Sequence, residues 1–119
     1  MLEHGVEPRA DWIVKDRNAR TGKIDDLNML QLPEEMPTAF LCNCDLTASY
    51  MVKKLREKGY RVPEDISVVG FDNYLYPGLC EVEITTYEVD MKEMASKTIN
   101  TLIKKMSNEN YKKGVSVIE

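Results

Sequence analysis

Two apolar runs flank one stretch of helical spacing in the middle of this chain. Thr38-Ala39-Phe40-Leu41-Cys42 and Ile66-Ser67-Val68-Val69-Gly70-Phe71 are near-continuous apolar segments. Runs of that length and character predict strands buried on both faces of a parallel sheet. Between them Ala48, Met51, Val52 and Leu55 recur at the spacing of one helix face, which predicts a helix over Leu46 to Lys58. Asp45 stands where an N-cap carboxylate would accept a helix N–H. Gly59 suits the left-handed position just past the helix end. Pro63 then blocks continuation. Strand, helix and strand with this crossover make a right-handed parallel β-α-β unit from Pro37 to Tyr74.

The flanking segments carry weaker patterns. Residues 1–10 read as the tail of a helix followed by a turn at Gly5 and Pro8, the kind of start expected of a fragment. Trp12-Ile13-Val14 predicts a short strand. Ile24, Leu27 and Leu30 to Leu32 follow a loose helical spacing that Pro33 ends, with Thr21 or Asp16 as cap. Asn73 to Glu83 is a loop with Pro77 and Gly78, and Ile84-Thr85-Thr86-Tyr87 centres a further strand. Asp90, with Glu93 three residues on, forms a capping box for a long amphipathic helix. Its apolar face is Met91, Met94, Ala95, Thr98, Ile99, Leu102, Ile103 and Met106. Val115-Ser116-Val117-Ile118 looks like the start of one more strand. The fold class is therefore α/β with a parallel, doubly wound sheet.

Composition narrows the function classes. The chain has 119 residues, 43% hydrophobic and 30% charged, as expected of one small soluble domain. No apolar run approaches the length of a membrane span. Met1 to Arg9 lacks the apolar segment of a secretory leader. A net charge of −4 provides no basic excess for phosphates. Lys53, Lys54, Arg56, Lys58 and Arg61 are interleaved with Glu57, Glu64 and Asp65 and read as a solvated face. Cys42, Cys44 and Cys80 form no regular framework, so free thiols in a reducing compartment are expected. Cys42-Asn43-Cys44 offers two thiolates to a metal, but no second Cys/His pair accompanies it and His4 is the sole histidine. Small buried side chains at a strand end account for the pair better, and no metal or cofactor is assigned.

Ligands of open parallel sheets bind outside the carboxyl ends of the strands. Asp16, Arg17 and Asn18 follow the first predicted strand, Asn43, Cys44 and Asp45 the second, and Asp72, Asn73 and Tyr74 the third. Such groups above an apolar base suit a small polar ligand such as a sugar. The capping role accounts for Asp45, and a turn accounts for Asn73 as well as contact does. Asp72, directly after Gly70-Phe71, is less easily assigned to a turn. Catalytic patterns are weak. There is no G-x-S-x-G and no glycine-rich phosphate loop. Asp45 as phosphoacceptor lacks a clear lysine partner, and Cys42 or Cys44 as nucleophile lacks a base. No catalytic residue is assigned and no enzyme is expected.

Met36 to Ala48, and above all Gly59-Tyr60-Arg61-Val62-Pro63-Glu64-Asp65-Ile66-Ser67-Val68-Val69-Gly70-Phe71-Asp72-Asn73, resemble the effector-sensing domain of LacI/GalR-type transcription regulators. Ile84-Thr85-Thr86 and the helix after Asp90 fit that family's crossing segment. The resemblance implies a periplasmic-binding-protein-like type I fold, here partial. Residues 1–90 would belong to the C-terminal subdomain. Residues 91–119 would supply a hinge-proximal helix and the start of a further strand. It implies a small-molecule effector in a cleft between subdomains and a homodimer in the cytoplasm. Operator DNA would be bound through a headpiece absent from this chain. Asp72 matches the family's effector-contacting acid. Cys44 stands where an amide is frequent, with Asn43 as a substitute if the strand end shifts. Arg17 stands where an aromatic ring often stacks; it would favour an anionic or strongly hydrogen-bonding ligand, or pair with Asp72. Met91 would line the cleft or pack in the first helical turn, and Ala95 replaces a frequent glycine. Ser49, Tyr50 and Lys53 are candidates for dimer contact. A solute-binding protein for transport shares the fold and is the competing expectation, with an α/β enzyme behind it.

Overall fold

The computed structural model describes residues 5, 9–23, 29–74, 78, 80–108, 111–112 and 114–118. Its described elements are a 3-10 turn at Ala10–Trp12, strand β1 (Ala39–Leu41), helix α1 (Asp45–Glu57), strand β2 (Ser67–Val69) and helix α2 (Met91–Ser107). The chain divides into two compact units, Met1–Tyr87 and Glu88–Glu119.

In the first unit β1 and β2 pair in parallel, with Phe40 opposite Val68. Both side chains are buried, and α1 covers that face through Ala48, Met51, Val52 and Leu55, each at most 3% exposed. Val62 and Ile66 close the core under the α1–β2 connection. Helical spacing in α1 and strand alternation in β1 and β2 thus meet on one apolar layer. The parallel β-α-β unit is as the sequence predicts, with one correction. The strands are not buried on both faces, since Ala39, Leu41 and Ser67 are exposed and only every second residue meets α1. Each strand is also shorter than its apolar run, because the ladder extends only as far as both partners remain in register. Gly59, at φ +88, takes the left-handed position after α1.

Residues 84–87 run beside β2 as a bridge, with Val69 opposite Thr85 in parallel. Gly70 and Asp72 donate their N–H groups to the carbonyls of Thr85 and Tyr87, at 2.8 and 2.9 Å. The expected strand here is therefore an irregular edge. Trp12-Ile13-Val14 is not a strand: Trp12 ends the 3-10 turn, and Ile13 donates to Ala10 O instead of to a ladder. The indole N–H of Trp12 reaches Glu35 O at 3.0 Å, and Arg9 stacks on its ring. Most of the helix expected over residues 24–32 lies outside the described residues, as does most of 1–10. Of its described end, Met29 is in a 3-10 turn and residues 30–32 are not helical; Leu30 enters the core at 1% exposure.

The second unit is led by α2. Asp90 Oδ1 accepts the Glu93 N–H at 2.7 Å, as an N-cap should. Its apolar face is exposed along its length, with no buried residue. Residues 115–118 belong to no ladder among the described residues.

These features give three expectations. Leu55→Ala empties a site with 0% exposure and lowers unfolding free energy by about 3 kcal/mol in urea titration. Asp65 accepts the Arg61 backbone N–H and guanidinium, which hold its carboxyl at about 2. Because folding lowers that pKa, its contribution is complete above the usual value near 3.9 and vanishes as pH falls through about 2. NMR titration of the Asp65 carboxyl should show this midpoint, and Arg61→Ala should raise it only part of the way to the usual value, because the backbone N–H of residue 61 still donates to it. Burial pushes the Cys42 thiol up to about 12. At pH 8 a disulfide reagent should leave Cys42 unmodified in the folded chain, and Cys42→Ser should not change the number of thiols that react.

Candidate functional site

The carboxyl ends of β1 and β2 are joined by backbone first. Cys42 donates to Val69 O at 2.8 Å, and Asp45 donates to Phe71 O at 3.0 Å. The second bond ties the opening residue of α1 to the sheet. It also sets the helix boundary: Cys44, extended at φ −159, is the N-cap, and Asp45 is the first helical residue. The expected capping role of Asp45 is therefore corrected. Its side chain turns to the neighbouring strand ends, where it is 1% exposed and accepts the Thr86 hydroxyl at 2.6 Å. A Cβ on residue 70 would lie 2.0 Å from Asp45 Oδ1, so the carboxylate occupies the space that Gly70 leaves empty. A carboxyl so enclosed is not open to phosphoryl transfer.

A first polar cluster gathers Asp16, Arg17, Cys44 and Thr47. Thr47 Oγ1 donates to Asp16 Oδ2 at 3.1 Å. Arg17 grips the same carboxylate through Nη2 at 2.7 Å and Nε at 3.1 Å. With its proton committed to Asp16, Thr47 accepts the Cys44 thiol, whose Sγ lies 3.4 Å away. The Arg17 hydrogen bonds hold the Asp16 carboxyl below the usual range despite partial burial, and Asp16 in turn raises Arg17. Arg17 is thus paired with Asp16, and the expected pairing with Asp72 is corrected. The nearest acid in sequence reaches it without ordering a longer loop. Beside this cluster a cleft of about 290 Å³ runs along β1, lined by Trp12, Ile13, Asp16, Leu41, Asn43 and Thr47. The sequence reading missed Thr47. The available signal was a hydroxyl one helical turn before Met51, on the face that α1 buries.

A second cluster surrounds Asp72, which follows β2. Asp72 and Asn73 both have positive φ, 100 and 51, a conformation uncommon outside glycine but accessible to these two residue types. Asp72 Oδ1 accepts the Tyr74 N–H at 3.0 Å. Asn73 N–H reaches Thr86 Oγ1 at 3.3 Å. Phe71, just after β2, and Tyr87, on the segment beside it, stack at 5.6 Å between centroids, both exposed. Asn73 is therefore a turn residue with its side chain exposed.

Of the remaining candidates, Met91 opens α2 in the second unit, 54% exposed. Ser49 is buried and donates to Leu46 O at 2.7 Å within its own helix. Tyr50 and Lys53 line a cleft with Cys80 and Glu81. Among the described residues no cluster of His, Cys, Asp and Glu could hold a metal ion.

Comparison with known proteins places this geometry. The family model described as periplasmic binding protein-like domain matches residues 1–119. The chain is 31% identical over 110 residues to an HTH-type transcriptional repressor PurR of Glaesserella parasuis, covering 92% of this chain and 32% of that protein. It is 38% identical over 85 residues to the arabinose metabolism transcriptional repressor of Geobacillus stearothermophilus, covering 71% and 23%. A PurR of Mannheimia succiniciproducens matches at 27% over 113 residues, covering 95% and 34%. The chain thus spans about a third or less of the length of these relatives. A parallel sheet with polar strand ends, a match to the family model over every residue, and relatives that are repressors agree: the chain belongs to the periplasmic binding protein-like domain family, in the form found in LacI/GalR-type transcription regulators.

Proposed function

We propose that this chain is part of the effector-sensing domain of a transcription regulator, and that a small polar effector, a sugar or a related metabolite, binds over its strand ends. The observation that carries the reading is the placement of Asp72: its half-buried carboxylate follows β2 at the carboxyl edge of the sheet, with one oxygen held by the Tyr74 N–H. A carboxylate held there accepts two hydroxyl hydrogen bonds from a polyol, and the exposed Phe71–Tyr87 stack beside it supplies apolar surface. Asp16, Arg17, Cys44 and Asn43 add polar groups at the other strand end. The likeness to an arabinose metabolism repressor supports a sugar.

In the whole regulator the effector would shift the population between arrangements of two subdomains, and the DNA-binding headpieces would respond. Operator DNA would be bound outside this chain, in keeping with its net charge of −4. Tyr50 and Lys53, with Ser49 beneath them, would contribute to a homodimer in the cytoplasm. A transport protein of the same fold is the competing reading; the repressor relatives favour the regulator.

Calorimetric titration with L-arabinose and other small neutral sugars tests the site. Asp72→Ala should weaken the sugar that binds by about tenfold or more, the loss expected for hydrogen bonds to a charged acceptor, with an unchanged circular dichroism spectrum. Equal affinity in the variant would remove Asp72 from the site, and no sugar binding by the whole regulator that contains this chain would remove the ligand class.

A further inference from the structure

We infer that Thr86 and Asp45 are positioning residues that set the direction of the Asp72 carboxylate through a hydrogen-bonded relay. The relevance of that direction to an effector rests on the function proposed above; the relay itself does not. The directions of its bonds follow from donor counting. Asp45 is an acceptor and is buried at 1% exposure, so the 2.6 Å contact requires the single Thr86 hydroxyl proton to point at Asp45 Oδ1. The Thr86 oxygen then presents its lone pairs elsewhere, and the Asn73 N–H is the donor that meets them, at 3.3 Å. The chain of bonds runs Asn73 N–H to Thr86 O–H to Asp45 carboxylate. A hydroxyl that donates to a buried carboxylate is a better acceptor for the next donor.

Asp45 is itself immobile. Its backbone N–H is bonded to Phe71 O, its Cα belongs to the first turn of α1, and its side chain fills the gap over Gly70. The relay therefore anchors the Asp72-Asn73 turn to the most fixed group at the strand ends. Two further bonds fix the same turn from either side: Asp72 N–H to Tyr87 O at 2.9 Å, and Tyr74 N–H to Asp72 Oδ1 at 3.0 Å. Two consecutive residues with positive φ need such external fixing, because neither adopts that conformation freely. Without the Thr86 hydroxyl, Asn73 loses its anchor and the turn is held by the two bonds of Asp72 alone, which leaves it looser.

Thr86→Val keeps the branched shape and removes the hydroxyl; Thr86→Ser keeps the hydroxyl and removes the methyl. In the 119-residue chain, hydrogen exchange should show the Asn73 amide exchanging about tenfold faster in Thr86→Val, as for the loss of one hydrogen bond. The Asp72 amide-to-Hα coupling and Cα shift, which report φ, should move toward averaged values. Thr86→Ser should restore both. Asp45→Asn, which retains an acceptor oxygen, should resemble the parent in the same readouts. A merely structural role for Thr86 predicts a lower urea midpoint with an unchanged Asp72 coupling, and that result overturns the inference. So does unchanged Asn73 exchange in a folded Thr86→Val chain. Should that variant not fold, the parent decides: protection of the exposed Asn73 amide by about tenfold or more supports the relay, and an unprotected amide ends it. Sugar titration of Asp72→Ala reads the effector site separately, so either claim can fail without the other.

Discussion

A buried carboxylate needs partners, and Asp45 finds its partners on segments far apart in the chain. Its side chain lies over Gly70, accepts the Thr86 hydroxyl, and sits on a residue whose N–H belongs to Phe71 O. Burying such a group without these contacts would cost several kcal/mol. With them, the opening of α1, the end of β2 and the edge at residues 84–87 are held in one arrangement. Gly70 is required because any Cβ would displace the carboxylate. The boundary of α1 at Cys44 follows from the backbone bond of this residue to Phe71 O, and its side chain anchors the turn at Asp72-Asn73 through Thr86.

The apolar layer beneath explains why that carboxylate can be so enclosed. Phe40, Val68, Met51, Val52 and Leu55 make a core in which α1 has little freedom to shift along the sheet. A fixed helix start carries both polar clusters: Cys44 and Thr47 on one side, meeting Asp16 and Arg17, and Asp45 on the other, meeting Thr86. The Asp16–Arg17 pair is partly exposed, so its Coulomb energy is screened by solvent and its main effect is orientation. Arg17 is thereby a paired cation, not a free one waiting for an anion.

The sequence made the β-α-β unit visible because its signals are local and agree with each other: apolar runs, one helical period, a glycine past the helix end. The Asp90 cap was readable for the same reason, since cap and recipient are three residues apart. Asp45 was harder. An aspartate between a strand and a helix reads as a cap, and only the approach of Gly70 and Thr86 gives it another use. Trp12-Ile13-Val14 has strand-like composition, but a strand needs a ladder, and Trp12 is drawn to Glu35 O instead. The sequence leaves Arg17 between a ligand and Asp72 and does not single out Asp16, which the local fold brings to it. Thr47 was passed over as an ordinary helix residue, although burial makes its hydroxyl the bridge between Asp16 and Cys44.

The turn after β2 depends on residues 45, 73 and 86 at once, and this bears on how such a site can change. A peptide copied from residues 70–74 would carry the two left-handed residues but neither the hydroxyl nor the carboxylate that restrains them. Grafting the loop onto another sheet would therefore transfer its composition without its shape. Conversely, substitutions at residues 43, 44 or 17 leave all three supports untouched. Variation in ligand preference is then cheapest at the Arg17 and Cys44 end of the sheet, while the Asp72 end is exposed to single changes at Asp45 or Thr86, both far from it in sequence.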